Sequence, residues 1–360
     1  MRMARARKAP VKKAITLLDL PNYKGYTFTF FSEVAVKLCA GEELEKLNQQ
    51  NLNNIVSAIC NCVSREIDEL KKRNADPCSI APIPLTGNDP KNKMNLCYAQ
   101  RKLVDFSMGV KLESLVLPPA LSLEFTEFTR GTMGTGRLKR ELFIISEEVL
   151  ALAIIGAHLA QAYATVGEYG YLYIDIVPHI VVRERVKKVH SMAKSIVSNI
   201  QKNNGSLSVT LIGVATTIGL ALGKLIWEIV KSDGHTIANY LRISRTGNKV
   251  MVKGFDSIDV IQLAKIVMRC GIAKAIYTML NRYPQEGFSS LRRFIELTAT
   301  NLIKYQSFRK PIYIYEILRY LTSDELNREG AQWYVKKSEK ELGWSEIVEA
   351  FSRLSKLLAS

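Results

Sequence analysis

The four histidines of this 360-residue chain stand apart, and none forms an HxxxH, an HExxH or a His-Asp pair. That removes the common zinc-hydrolase and His-dependent metal signatures. No Gly-x-Ser-x-Gly elbow is present, which removes the usual serine-hydrolase layout. The six cysteines (39, 60, 62, 78, 97 and 270) include no CxxC pair. The basic start MRMARARKAPVKK is followed by no apolar h-region of the kind a secretory signal carries. The expectation is therefore a cytoplasmic protein with reduced thiols, no cofactor, and no enzymatic activity. A zinc site built from Cys39, Cys60, Cys78 and Cys97 stays open beside ordinary packing, with Cys62 read as packing on a helix.

Acid is scarce where base is dense. The first thirteen residues hold six cations and no acid, and the run FTRGTMGTGRLKR (128–140) also contains none. Across the whole chain 50 Lys and Arg face 34 Asp and Glu, a formal charge of +16. Such an excess points to an anionic partner, nucleic acid first and an acidic membrane surface second. Long uncharged stretches are equally scarce. Leu207–Gly223 (LSVTLIGVATTIGLALG) is the stretch of this kind that raises a membrane span as a reading. At 1.5 Å per residue it reaches roughly 25 Å, the short limit for a bilayer crossing. Lys224 and Glu228 follow it closely, so the preferred reading is a helix buried in a helical domain, with no membrane partner.

What is present divides into three parts. Residues 1–20 form a basic flexible arm. Residues 21–205 form a mixed α+β domain, and 206–360 a mainly helical domain interrupted by a β-hairpin at about 240–256. The fold class is thus α+β, a mixed α/β N-terminal domain followed by a mainly helical C-terminal one. Apolar residues at Ile55, Ile59, Val63, Ile67 and Leu70 mark a helix over 51–72. Asp76–Asn95 reads as a loop with four prolines. Leu121–Thr129 and Tyr169–Val177 alternate as strands. Ser146 reads as a helix N-cap ahead of Glu147 and Glu148. In the C-terminal part, breaks are expected at Tyr283-Pro284, Lys310-Pro311, Asn327–Gly330 and Gly343.

The loop at 128–141 is the first candidate site. Gly131, Gly134 and Gly136 permit close backbone approach, and Arg130, Arg137, Lys139 and Arg140 supply charge. The order is G-x-x-G-x-G, and Gly136 is followed by Arg137 and Leu138. Neither the P-loop nor the dinucleotide fingerprint fits. Contact with a nucleic-acid backbone and a plain surface turn remain as its two readings. A helix over 182–200 sets Arg183, Lys187 and Lys194 beside an apolar stripe. In the predicted hairpin, Arg242, Arg245, Lys249 and Lys253 gather near the turn. Such a ribbon suits a nucleic-acid groove, and equally suits an edge guarded by cations. Tyr169, Tyr171 and Tyr173 share one strand face, either stacking bases or packing a sheet.

The order of a mixed α+β part, a glycine-rich basic loop, the aromatic strand EYGYLYIDI and a long helical tail resembles the large subunit of the archaeal type I-A CRISPR Cascade complex. The resemblance runs over most of the chain from about residue 20. It implies a non-catalytic subunit of an RNA-guided complex that binds crRNA and target DNA. It further implies recognition of the protospacer-adjacent motif, stabilisation of the displaced strand, contact with other Cascade subunits and recruitment of the helicase–nuclease. By analogy the loop Arg130–Arg140 or the hairpin Arg242–Lys253 would read the motif. A free-standing DNA- or RNA-binding protein of a mobile element, or a membrane-associated helical protein, are the alternatives.

Overall fold

A computed structural model describes residues 13–124, 143–164, 170–177, 195–196, 199–200, 202–203, 237–247, 249–336 and 341–358. Over these the fold is α+β, mostly helical with two small antiparallel sheets. The chain order runs α1 (Thr27–Ala40), α2 (Leu52–Lys72), α3 (Leu96–Ser107), β1 (Ser114–Val116), β2 (Ile144–Ser146), α4 (Glu147–Ala160), β3 (Gln161–Ala164) and β4 (Gly170–Val177). It continues through β5 (Ile237–Thr246), β6 (Lys249–Asp259), α5 (Val260–Arg269), α6 (Ala273–Asn281), α7 (Ser289–Phe308), α8 (Ile312–Leu321), α9 (Asp324–Trp333) and α10 (Trp344–Ser352). β1 pairs antiparallel with β2, and the larger sheet has the order β3-β4-β5-β6. The described residues fall into two compact units. The first holds those up to 161, with 170–171 and 243–254. The second holds 162–164, 172–242 and those from 255 onward.

The first unit is organised by two helices that are buried over most of their length. α1 (TFTFFSEVAVKLCA) buries Phe28, Phe30, Phe31, Val34, Ala35 and Val36, and α4 (EEVLALAIIGAHLA) buries everything from Glu147 to Ala157. A helix with so much apolar surface is stable in water only when it is covered, and these two pack along each other. Their approach reaches backbone contact at Gly156: a Cβ built there would lie 1.6 Å from the Phe31 carbonyl oxygen. Polar atoms on α1 are satisfied locally, as burial demands. Thr27 Oγ1 donates to the Ala120 carbonyl at 2.8 Å, Thr29 Oγ1 to Tyr23 at 2.6 Å and Ser32 Oγ to Phe28 at 2.8 Å. Gly41, at φ +73°, ends the helix in the left-handed conformation that glycine adopts without strain.

The segment expected as a strand from Leu121 has a different task in its described half. The carbonyls of Leu121 and Leu123 accept the N–H groups of Phe28 and Thr27. Those donors open α1 and have no partner within it. Residues 121–123 are therefore irregular, with a single bridge from Glu124 to Tyr26. The remainder of that expected strand lies outside the described residues.

The thiols differ from expectation. Cys39, in the last turn of α1, is bonded to Cys62 on α2, and Cys78, in the proline-rich loop, to Cys97 in the first turn of α3. The reduced-thiol expectation is corrected accordingly. The zinc quartet falls with it, because three of its four members are disulfide sulfurs and a structural zinc site takes thiolates. Pairing of this kind rests on tertiary adjacency and not on spacing. Each link closes a loop of about twenty residues, worth about 3 kcal/mol by the loop-closure argument.

The second unit is a helical assembly around Phe294, Ile317, Leu326, Ile347 and Phe351. Phe294 meets Phe351 edge-on at 5.4 Å and Trp344 at 6.3 Å. Buried Glu329 on α9 accepts the Leu291 N–H at 2.8 Å, setting a carboxylate on the positive end of α7. The break expected at Asn327–Gly330 is absent, since α9 runs through it. Gly330 serves as a gap there: a Cβ would lie 2.2 Å from the Trp344 ring. Arg282 ties α6 to the end of α9, donating to the carbonyls of Trp333 at 2.7 Å and Val335 at 3.1 Å.

Thiol titration checks the cysteine pairing. Of the six cysteines, Cys60 and Cys270 are free, so protein denatured without reductant should return two reactive thiols per chain and six after reduction. Six before reduction would contradict both disulfides.

Candidate nucleic-acid interface

β5 and β6 are neighbouring strands joined through Gly247 and residue 248. Gly247 has φ +58°, the left-handed conformation that two-residue hairpin turns require. Alternation along the strands divides the ribbon into two faces. Leu241 and Ile243 on β5 and Val250 and Val252 on β6 are buried. Arg242 on β5, and Lys249 and Met251 on β6, are exposed. A ribbon with one apolar face held down and cations on the other can enter a groove without losing its packing.

Arg245 is placed differently from its neighbours. Its Nε donates to the Gly247 carbonyl at 2.7 Å, folding the guanidinium over the turn. That contact spans the hairpin tip and engages Arg245 with the turn. The backbone of Lys253 lies in β6, and its side chain lies outside the described residues. The loop residues Arg130, Gly131, Gly134, Gly136, Arg137, Lys139 and Arg140 also lie outside them, as do Arg183, Lys187 and Lys194 of the expected helix. Leu207–Gly223 falls there too. Among the described residues no helix is long and apolar enough to cross a membrane.

Of the three tyrosines offered as a stacking face, Tyr169 lies outside the described residues. Tyr173 is fully buried and Tyr171 half-buried. A base cannot reach a ring with no exposure, so packing of the strand is the reading the structure supports at Tyr173. Arg292, at the start of α7, is committed to intramolecular contacts. It donates to the carbonyls of Pro284 and Asn203 and lies over the Tyr283 ring.

A second polar cluster sits inside the first unit, and spacing gave no hint of it. Glu147 is 2% exposed, and its carboxylate takes a 2.7 Å hydrogen bond from the Tyr98 hydroxyl and a 2.7 Å ion pair from Lys102. The Glu113 N–H reaches it at 3.4 Å. Burial pushes this carboxyl up, but Lys102, Tyr98 and the Glu113 N–H outweigh it and hold the group below its ordinary 4.5. Burial, then the bond to Glu147, pushes the Tyr98 phenol well up. Glu148 beside it moves the other way, raised by its burial. Ser146 occupies the N-cap position but does not cap with its side chain. Its hydroxyl lies against Glu148 and the Ile15 carbonyl instead. Glu147 thus joins α3 to the start of α4. Among the described residues no group of three or more His, Cys, Asp or Glu is placed to hold a metal.

No protein-family model matches the chain, and no curated protein matches it.

The Glu147 cluster makes stability acid-sensitive. A carboxyl depressed in the folded state contributes stability that is present above its unfolded value and lost as pH falls through the folded one. Glu147→Gln should cost about 3 kcal/mol or more at neutral pH, because it leaves Lys102 without its buried partner. That deficit should shrink below pH 4.5. Denaturant midpoints of both proteins across this range read the effect. A deficit constant with pH would contradict the ion-pair account.

Proposed function

We propose that the chain is a non-catalytic nucleic-acid-binding protein, acting as the large subunit of an RNA-guided CRISPR interference complex. In this reading it binds beside crRNA, reads the protospacer-adjacent motif on duplex DNA, steadies the target or displaced strand and helps recruit the helicase–nuclease. The observation that carries the binding part is the β5–β6 ribbon, with Leu241, Ile243, Val250 and Val252 buried and Arg242 and Lys249 exposed. The formal charge of +16 supports an anionic partner of some kind. The layout of loop, aromatic strand and helical tail supports the assignment to the complex, by resemblance.

The physics of recognition then divides the labour. Lys249 and Arg242 meet phosphates and fix register, and guide pairing reads most of the sequence. Arg245 stiffens the tip through its bond to Gly247, lowering the entropy lost on binding.

Salt dependence tests this directly. Each phosphate contact contributes about one unit to the slope of log affinity against log salt. Arg242→Ala and Lys249→Ala should each weaken duplex binding across sequences and flatten the slope by about one. Slopes equal to that of the unaltered protein would contradict the ribbon as an interface.

A further inference from the structure

The corner between α7 and α8 carries an exposed group of large apolar and aromatic side chains. Phe308 is 61% exposed, Ile312 50% and Tyr315 52%. The core does not need them. α7 turns Leu302 and Tyr305 inward, α8 turns Ile314, Ile317 and Leu321 inward, and all five are buried. Ile312, Tyr315 and Arg319 occupy the opposite face of α8, at helical spacing. Scattered single apolar residues on a surface need no explanation, but three within eight residues form a patch that does.

Cations alternate with these rings. From Lys304 to Arg319 the chain holds Lys304, Arg309, Lys310 and Arg319 against Glu316 as the one acid, a local balance of +3 (4 − 1). All four cations are exposed. Glu316 accepts a 2.9 Å bond from Asn301. Lys304 lies 5.8 Å over the Tyr313 ring, whose neighbour Phe308 is 6.2 Å away. Arg309 is held at φ +54°, a conformation an L-residue adopts at a cost. It is fixed there by its bond to Gln262 at 3.1 Å and by the Tyr305 ring beneath it.

We infer that this corner is a binding site for single-stranded nucleic acid, with Phe308 and Tyr315 as stacking faces and Lys304, Arg309, Lys310 and Arg319 as phosphate contacts. The inference rests on the nucleic-acid reading above and places a second, strand-selective site in the helical unit. The interleaving favours this occupant. A protein interface has an apolar centre depleted of charge and a polar rim. A single strand offers a flat apolar face and a negative charge at every nucleotide, so its receptor alternates rings with cations. A duplex hides its base faces, so the corner distinguishes the two forms.

The test is fluorescence anisotropy of the full-length chain with a labelled mixed-sequence single strand, DNA in one arm and RNA in the other, against the matching duplex. Both rings are exposed, so the Phe308→Ala/Tyr315→Ala double variant should keep its melting temperature. It should lose about tenfold or more in single-strand affinity while duplex affinity holds. The Phe308→Trp/Tyr315→Trp variant should retain binding. Equal losses on single strand and duplex, or no loss on either strand type, would overturn the inference and leave the ribbon reading standing. An alanine variant that keeps single-strand affinity but loses a co-purifying protein would show a protein-docking face, and would also overturn it. An unaltered chain that binds neither form would sink both readings together.

Discussion

The carbonyl of Phe31 sits where any side chain larger than hydrogen would stand at residue 156. This contact lets the largely buried helices α1 and α4 lie backbone against backbone. A methyl group would have to push one helix off the other, and overpacked cores lose about 1–3 kcal/mol or more. Much of the first unit follows from that closeness. α2 reaches α1 through the Cys39–Cys62 bond, and α3 reaches the start of α4 through Tyr98, Lys102 and Glu147. Even the 121–123 segment is set by α1, whose opening N–H groups it satisfies.

The second unit repeats the device with different atoms. Gly330 makes room for the Trp344 ring, and Glu329, one residue away, anchors the start of α7. These contacts tie α9 to α10 and to the start of α7, the helix that ends at the corner where Phe308 is displayed. In the ribbon, Gly247 permits the turn and Arg245 locks it, leaving Arg242 and Lys249 on the exposed face. In both places rigid scaffolding presents cations, as preorganised recognition requires.

Local signals in the sequence were readable where one face of an element is polar. The stripe Ile55, Ile59, Val63 and Ile67 marks α2, and the turn residues Thr246, Gly247 and Asn248 mark the ribbon. Signals failed where contacts are made across the chain. Gly330 looks like a helix break because its tenant, Trp344, is fourteen positions away. Cys62 looks like packing because its partner lies on another helix. Glu147 looks like an ordinary first-turn acid because Tyr98 and Lys102 come from α3. The corner was visible only as the break at Lys310-Pro311, since spacing does not reveal that Phe308 and Tyr315 are exposed. The glycine-rich loop at 128–141 keeps the two readings its sequence allows.

The proposed role sets this chain on nucleic acid within an RNA-guided assembly. The most direct measurement is purification of the chain from its native host under mild salt, followed by sequencing of bound nucleic acid and mass analysis of bound proteins. The account predicts small crRNAs together with backbone subunits, both released by raising salt. Recovery of the chain free of RNA and of such subunits, at the same mild salt, would contradict it.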